Sequence, residues 1–306
     1  MKNLWLVVAV VGIVLFPQLD VELMTDVSPI PTPDPPTGKK GIATLGEGGC
    51  ISAACGDFEK LGARYIFGCG GSTLTTCEGT EPLYFFGIDT RIDGRDIPAG
   101  YSPWLLTINE PDHSEGCCAV TPQIAARLWR TMEQDYPDRK LIAPAILNIH
   151  TPGCFWQNTM PGMTCNWLED FVYAYFVEYG TMPRIDGLGG HCYGYLGSGD
   201  LLTECTAMVE YLEGKLQAWG IDGGLWINEF GPNPWICHVE MKRQLAETVR
   251  YFESKASVRM YAVWALRTKT WELMNAMRCW SRDITPYGVI FRDTGRWQVY
   301  APMVGR

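Results

Sequence analysis

Two Asn-Glu pairs, Asn109-Glu110 and Asn228-Glu229, each follow directly on a short apolar run, Trp104–Ile108 and Leu225–Ile227. A charged residue right after a buried strand, with Pro111-Asp112 or Phe230-Gly231 next, cannot lie in the core and projects from the strand's C-terminal end. Two carboxylic acids facing each other across a cleft can cut a glycosidic bond. One must hold a proton for the leaving oxygen, and the other must be ionised to attack or to activate water. A separation of about 5–5.5 Å gives the retaining route and about 6.5–9.5 Å the inverting one. Their mutual repulsion raises one pKa and separates the two roles. Taken singly, such a glutamate caps a turn or pairs with an arginine more often than it does chemistry. Two in matching contexts make a shared cleft the stronger reading.

Strands must position these groups. Continuous apolar runs predict eight of them: Gly41–Leu45, Ala63–Phe67, Leu83–Ile88, Trp104–Ile108, Leu141–Ala145, Gly187–Gly190, Leu225–Ile227 and Met260–Ala265. Amphipathic stretches fall between several of them. Thr121 reads as an N-cap with Pro122 at the first helical position, opening a helix to about Tyr136. Asn166–Tyr179, Leu201–Trp219 and Glu240–Lys255 read as further helices, and Pro286–Met303 as a loop followed by a short closing helix. The segments after the second and third strands are too short and too rich in Gly, Thr and Pro for full helices. Alternating strand and helix implies a parallel sheet, and eight units fit an α/β (β/α)8 TIM barrel with some short or missing helices. In that fold the strands' C-terminal ends form the active face, with the fourth and seventh across the mouth from each other. Trp226 has the parity of Asn228, not of Glu229, and is expected to face the helix layer.

The 306 residues carry 25 Lys and Arg against 34 Asp and Glu, a net charge of −9. With 47% hydrophobic residues the chain is neither disordered nor collagen-like. The acidic balance and the lack of a basic cluster argue against a nucleic-acid partner. Residues 1–16, Met-Lys-Asn and then thirteen apolar residues, read as a signal peptide or N-terminal anchor. They imply secretion, with a membrane association only if the segment is not cleaved. Residues 17–40 read as a Pro-rich linker, leaving 41–306 as the barrel. Export makes disulfides the natural state of the 12 cysteines. Pairing of neighbours suggests Cys50–Cys55, Cys69–Cys77, Cys154–Cys165, Cys192–Cys205 and Cys237–Cys279, with Cys117 and Cys118 left over. The four scattered His and the lack of Cys-x-x-Cys make a zinc site improbable, so no metal and no cofactor is expected. Asp89-x-Arg91-x-Asp93-Gly94 fails as a calcium loop and reads as a turn. The Gly68–Gly71 run lacks the helix that a nucleotide site needs, and there is no Gly-x-Ser-x-Gly. Trp156, Trp235 and Trp271 lie in loops expected to rise from the active face, where they either stack on sugars or anchor the loops.

Four segments, Leu105-Leu-Thr-Ile-Asn-Glu-Pro-Asp112, His191-Cys-Tyr-Gly194, Leu225-Trp-Ile-Asn-Glu-Phe-Gly231 and Val263-Trp-Ala265, resemble clan A of the glycoside hydrolases. Family 128 and related Asl1-like catalytic cores are the most similar, over roughly residues 41–303. The resemblance implies a (β/α)8 barrel, metal-free catalysis and retention of anomeric configuration. It assigns Glu110 as general acid/base and Glu229 as nucleophile. Asn109 would hold the 2-hydroxyl of the sugar being cleaved, Tyr193 would lie near the nucleophile, His191 would line the cleft, and Trp264 would form the platform under that sugar. The implied substrate is a β-linked polysaccharide, β-1,3-glucan above all, cut by a monomer acting as an endo-β-1,3-glucanase. The sequence departs from the family in having Asn228 where Thr is usual and Cys192 where an aromatic residue is frequent. Alternatives are a carbohydrate-binding barrel without turnover, a clan A enzyme for mannan or β-1,4-glucan, an inverting barrel enzyme, or a structural cell-surface protein.

Overall fold

The computed structural model describes residues 38–44, 55–68, 77–87, 97–113, 119–149, 154–156, 162–233, 235–264, 276 and 283–294. All of them belong to one compact unit within Pro33–Arg306. The signal-peptide segment, the Asp89 turn, Trp271 and Cys117-Cys118 lie outside the described residues. None of the described helices is long and apolar enough to cross a membrane.

In chain order the elements are β1 (Lys40–Ala43), α1 (Cys55–Leu61), β2 (Tyr65–Phe67), β3 (Glu81–Pro82), β4 (Tyr84–Gly87), β5 (Trp104–Ile108) and α2 (Pro122–Asp135). Then come β6 (Lys140–Ile142), α3 (Trp167–Tyr179), β7 (Leu188–Tyr193), α4 (Leu201–Trp219), β8 (Leu225–Gly231), α5 (His238–Ser254), β9 (Val258–Val263) and α6 (Pro286–Asp293). It is an α/β fold with two sheets, one ordered β3-β2-β1-β9-β8-β7 and one ordered β4-β5-β6. Every registered pair is parallel. The sheets meet twice. Leu83 separates β3 from β4 along a single stretch of chain, and its N–H donates to Ile66 O at 2.8 Å. On the other side, isolated bridges join Ile142 to Gly187 and Ile146 to Gly190. Ala43, Tyr65, Phe67, Phe85, Leu106, Ile142, Trp226 and Met260, drawn from both sheets, pack into one buried cluster. A larger cluster fills the layer between strands and helices. The arrangement is consistent with a distorted barrel.

Local chemistry explains where the helices start. Thr121 accepts a hydrogen bond from Ile124 N, Asn166 from Glu169 N, and Asp200 from Thr203 N, each satisfying an amide that the helix leaves unpaired. The apolar runs predict only part of the rest. The sequence names no element between the first two strands, and α1 stands there, tied down by a Cys55–Cys77 disulfide. That bond also overturns the expected Cys50–Cys55 and Cys69–Cys77 pairs. Neighbouring cysteines close the smaller loop, but the fold places α1 beside the chain entering β3. Cys154–Cys165 and Cys192–Cys205 form as predicted. Cys237 is exposed and carries a free thiol, so the expected Cys237–Cys279 bond is not made. The closing segment is helical from its start, because Thr285 caps α6 by accepting from Gly288 N.

Trp226 corrects a second expectation. It faces the inner cluster, not the helix layer. Gly190 and His191 of β7 align with Ile227 and Glu229 of β8, leaving Asn228 as an extra residue. The pairing with β9 slips over the same stretch. This β-bulge breaks the alternation on which the parity argument rests. Leu225 and Ile227 join the outer cluster and Trp226 the inner one, yet Glu229 still reaches Glu110 and His191. Trp226 has room because a glycine stands just before β7 on that side. A Cβ on Gly187 would lie 2.9 Å from the indole nitrogen.

Candidate active site

The C-terminal ends of β5, β7 and β8 bring Glu110, His191, Tyr193 and Glu229 together. One oxygen of each glutamate and one imidazole nitrogen all lie within 4.8 Å of one another. Glu110 follows β5 at a φ of 38°, the left-handed region that side chains other than glycine rarely occupy. Its N–H donates to Ala145 O at 2.9 Å and its C=O accepts from His113 N at 3.0 Å, so both neighbouring segments hold the turn. Asp112 completes the brace. It is buried and accepts hydrogen bonds from Leu147 N and Asn148 N, which fixes the chain beyond β6 against the turn after β5.

His191 is fully buried between the acids. Its Nδ1 lies 2.8 Å from Glu110 Oε1 and 3.5 Å from Glu229 Oε2. Tyr193 Oη donates to Glu229 Oε2 at 2.6 Å. Burial lowers the imidazole's proton affinity, but the charges of Glu229, Glu110 and Asp112, with the Glu110 hydrogen bond, overcome it and raise its pKa. The two carboxyls are driven apart. Burial, helped by the nearby Glu110 charge, pushes Glu229 up to about 7 against the opposing pull of His191 and the Tyr193 hydrogen bond. Glu110 is less enclosed, its side chain 19% exposed. Burial acts to raise it too, but the His191 hydrogen bond and the charges of His191 and His113 hold it below its ordinary value. Both directions favour Glu229 over Glu110 as holder of a shared proton.

Several buried polar atoms here have no hydrogen-bond partner among the described residues: Asn109 Oδ1, His191 Nε2, both amide atoms of Asn228, and Glu229 Oε1. Buried polar groups are seldom left unsatisfied, so these point to a polar ligand or ordered water. The two carboxylates and the imidazole would also serve as donors to a metal ion. Binding one would take up the same nitrogen and oxygens that now set the protons.

The remaining sequence-named residues divide. Asn109 sits at the end of β5, bridged to Ala145. Trp264 follows β9 and packs beside Leu147 and Tyr193, next to the acids. Trp156 is a loop anchor, fully buried with its indole N–H donating to Asp170 Oδ2. Trp235 is 73% exposed. The sequence names Asp112 only as part of the Asn-Glu-Pro-Asp segment, with no role, because it acts through backbone amides. Tyr195 goes unremarked, although it shares the parity of His191 and Tyr193 and could have been found by counting in twos.

A family model described as the glycosyl hydrolase catalytic core matches residues 95–291 of the chain. Solved structures of similar fold include a family 128 subgroup I endo-β-1,3-glucanase from Amycolatopsis mediterranei in complex with laminaritriose. It has 19% identity and a TM-score of 0.61, over 84% of this chain and 99% of that one. A subgroup II endo-β-1,3-glucanase from Sorangium cellulosum shares 22% identity at a TM-score of 0.60, over 84% and 98%. A subgroup III curdlan-specific exo-β-1,3-glucanase from Blastomyces gilchristii, in complex with glucose, shares 19% at 0.59, over 85% and 99%. No curated protein matches the chain.

Proposed function

Because the chain belongs to the glycosyl hydrolase catalytic core family, we propose that it is a retaining endo-β-1,3-glucanase working by double displacement. The observation that carries this reading is the convergence of Glu110 and Glu229, whose closest oxygens fall within 4.8 Å. That closeness supports the retaining route, whose carboxyls stand about 5–5.5 Å apart, over the inverting one at about 6.5–9.5 Å. The two sheets are taken as arcs of one eight-stranded barrel, with β3 and β4 as a single broken strand and the Ile142–Gly187 and Ile146–Gly190 bridges as the second seam. The endo-acting glucanases among the similar structures favour β-1,3-glucan as substrate.

In the first step a Glu229 oxygen attacks the anomeric carbon while Glu110 gives its proton to the departing glycosidic oxygen. In the second, Glu110 takes a proton from water, whose oxygen displaces Glu229 from the sugar. The proton must therefore stand on Glu110 when attack begins. Substrate supplies the shift: a bound sugar desolvates the more open Glu110 and raises its pKa, while Glu229 is already buried. His191, within reach of both acids, steadies the charge that moves between them. Tyr193 orients Glu229, Asn109 offers its free Oδ1 to the 2-hydroxyl, and Trp264 forms the platform.

The test is Glu229→Ala in the full chain, assayed on β-1,3-glucan, β-1,4-glucan and β-mannan. Wild type is expected to release sugar fastest from β-1,3-glucan, with the first product keeping its β-configuration by NMR. The variant should lose at least about a thousandfold in kcat, and azide should partly restore cleavage of an aryl glucoside as an α-glucosyl azide. A variant as active as wild type, or an inverted first product, would overturn the mechanism.

A further inference from the structure

We propose that Tyr195 and Trp235 form an outer subsite that stacks on a glucosyl unit of the β-glucan beyond the bond being cut. The proposal rests on the glucanase reading above and adds to it a binding surface outside the catalytic cluster. An aromatic row leads out from the acids. Tyr193, whose hydroxyl holds Glu229, is buried, and its ring stacks on Tyr195 with centroids 5.1 Å apart and planes 26° apart. Tyr195 is 40% exposed and meets Trp235 edge-on at 6.0 Å. Exposure thus rises step by step with distance from the nucleophile. Burial first, then the charges of Glu110 and Glu229, raises the Tyr195 phenol's pKa, which places that ring within the field of the cleft.

The row is held in place before any ligand arrives. Gly194 N donates to Gly231 O at 2.9 Å, tying the loop after β7 to the end of β8. A Cβ on Gly194 would come within 2.9 Å of Asn233 N, so only glycine lets the two segments pass so closely. Asn233 Oδ1 then accepts from Trp235 N at 2.9 Å and fixes the start of the loop that carries the indole. Leu196 packs behind, against Leu147 and Tyr193. A large aromatic side chain left mostly in water, with one edge against Tyr195, keeps a ring face open to a ligand. What reaches it here is a chain threaded through the adjoining cleft. The C–H-rich face of a pyranose suits an aromatic ring, while its hydroxyls remain in water. A charged or fully apolar ligand would use that geometry poorly.

The experiment compares wild type, Trp235→Ala, Trp235→Phe and Tyr195→Ala as full chains, on soluble β-1,3-glucan and on an aryl β-glucoside too short to reach the outer subsite. Trp235→Ala should raise KM for the polymer about tenfold, the equivalent of one aromatic stacking contact, and leave kcat/KM on the aryl glucoside within about twofold. Trp235→Phe should recover most of the polymer KM. Tyr195→Ala should weaken polymer binding in the same direction. Equal losses on both substrates, or an unchanged polymer KM in all three variants, would overturn the subsite. Quenching of tryptophan fluorescence by β-1,3-oligosaccharides, measured in parallel, separates the two readings. If wild type cleaves nothing yet is quenched and Trp235→Phe is not, the glucanase reading fails while the subsite stands.

Discussion

At the scale of single residues, chemistry here is a question of where one proton sits. Glu110 and Glu229 titrate as a pair, so the pH profile belongs to both. With Glu229 pushed up to about 7 and Glu110 held below its ordinary value, the pair gives up its last proton as pH rises through about 7. Beyond that point no acid remains for the leaving oxygen, and kcat/KM on β-1,3-glucan is expected to fall. Glu110→Gln tests the assignment. It should cost about a hundredfold or more on the polymer and far less on an aryl glucoside with a good leaving group. On that glucoside the alkaline fall should vanish, since only ionised Glu229 is then required. A retained fall above pH 7 would place the acid elsewhere. Both glutamates were legible in the sequence because each follows an apolar run. The protons were not, since His191's place between the acids comes from strand packing that no spacing along the chain reveals.

At the scale of elements, the bulge in β8 matters most. Alternation along Leu225–Gly231 sends Trp226 and Glu229 to opposite faces, and only the extra residue at Asn228 lets one fill the interior while the other meets Glu110 and His191. A bulge is a property of register between two strands, so the apolar pattern of one strand does not show it. The same holds for the β6–β7 seam. Gly189 reads as an unremarkable residue of a short strand, yet a Cβ there would lie 2.7 Å from Ala143 O and 3.2 Å from Ala145 Cα. Gly189→Ala is therefore expected to lower stability by about 1–3 kcal/mol through overpacking. It should also reduce kcat, because His191 lies two residues along the displaced strand. Urea unfolding checks the first effect, and an unchanged midpoint would refute it. Helices with side-chain caps, such as α2 behind Thr121, were readable in advance. The short α1 was not, since seven residues anchored by a disulfide need no long amphipathic repeat.

At the scale of the whole molecule, alternation of strand and helix made the parallel α/β architecture visible, and the clustered cysteines made its cross-links visible in kind but only partly in partner. Cys192–Cys205 joins β7 to α4 directly beside His191 and Tyr193. Its loss as Cys192→Ser with Cys205→Ser should cost about 2–4 kcal/mol and loosen the strand that aims both side chains. Thermal melting should therefore fall together with kcat. A lower melting point with full activity would show that the strand holds its place without the bond. One further consequence follows from the backbone at Glu110. Its left-handed φ of 38° counts against the folded state. Glycine at that position would relax the turn while abolishing turnover. Heat tolerance is accordingly a misleading guide when screening variants of this scaffold. A lineage freed from the need to digest its polymer would drift toward a sturdier but idle descendant.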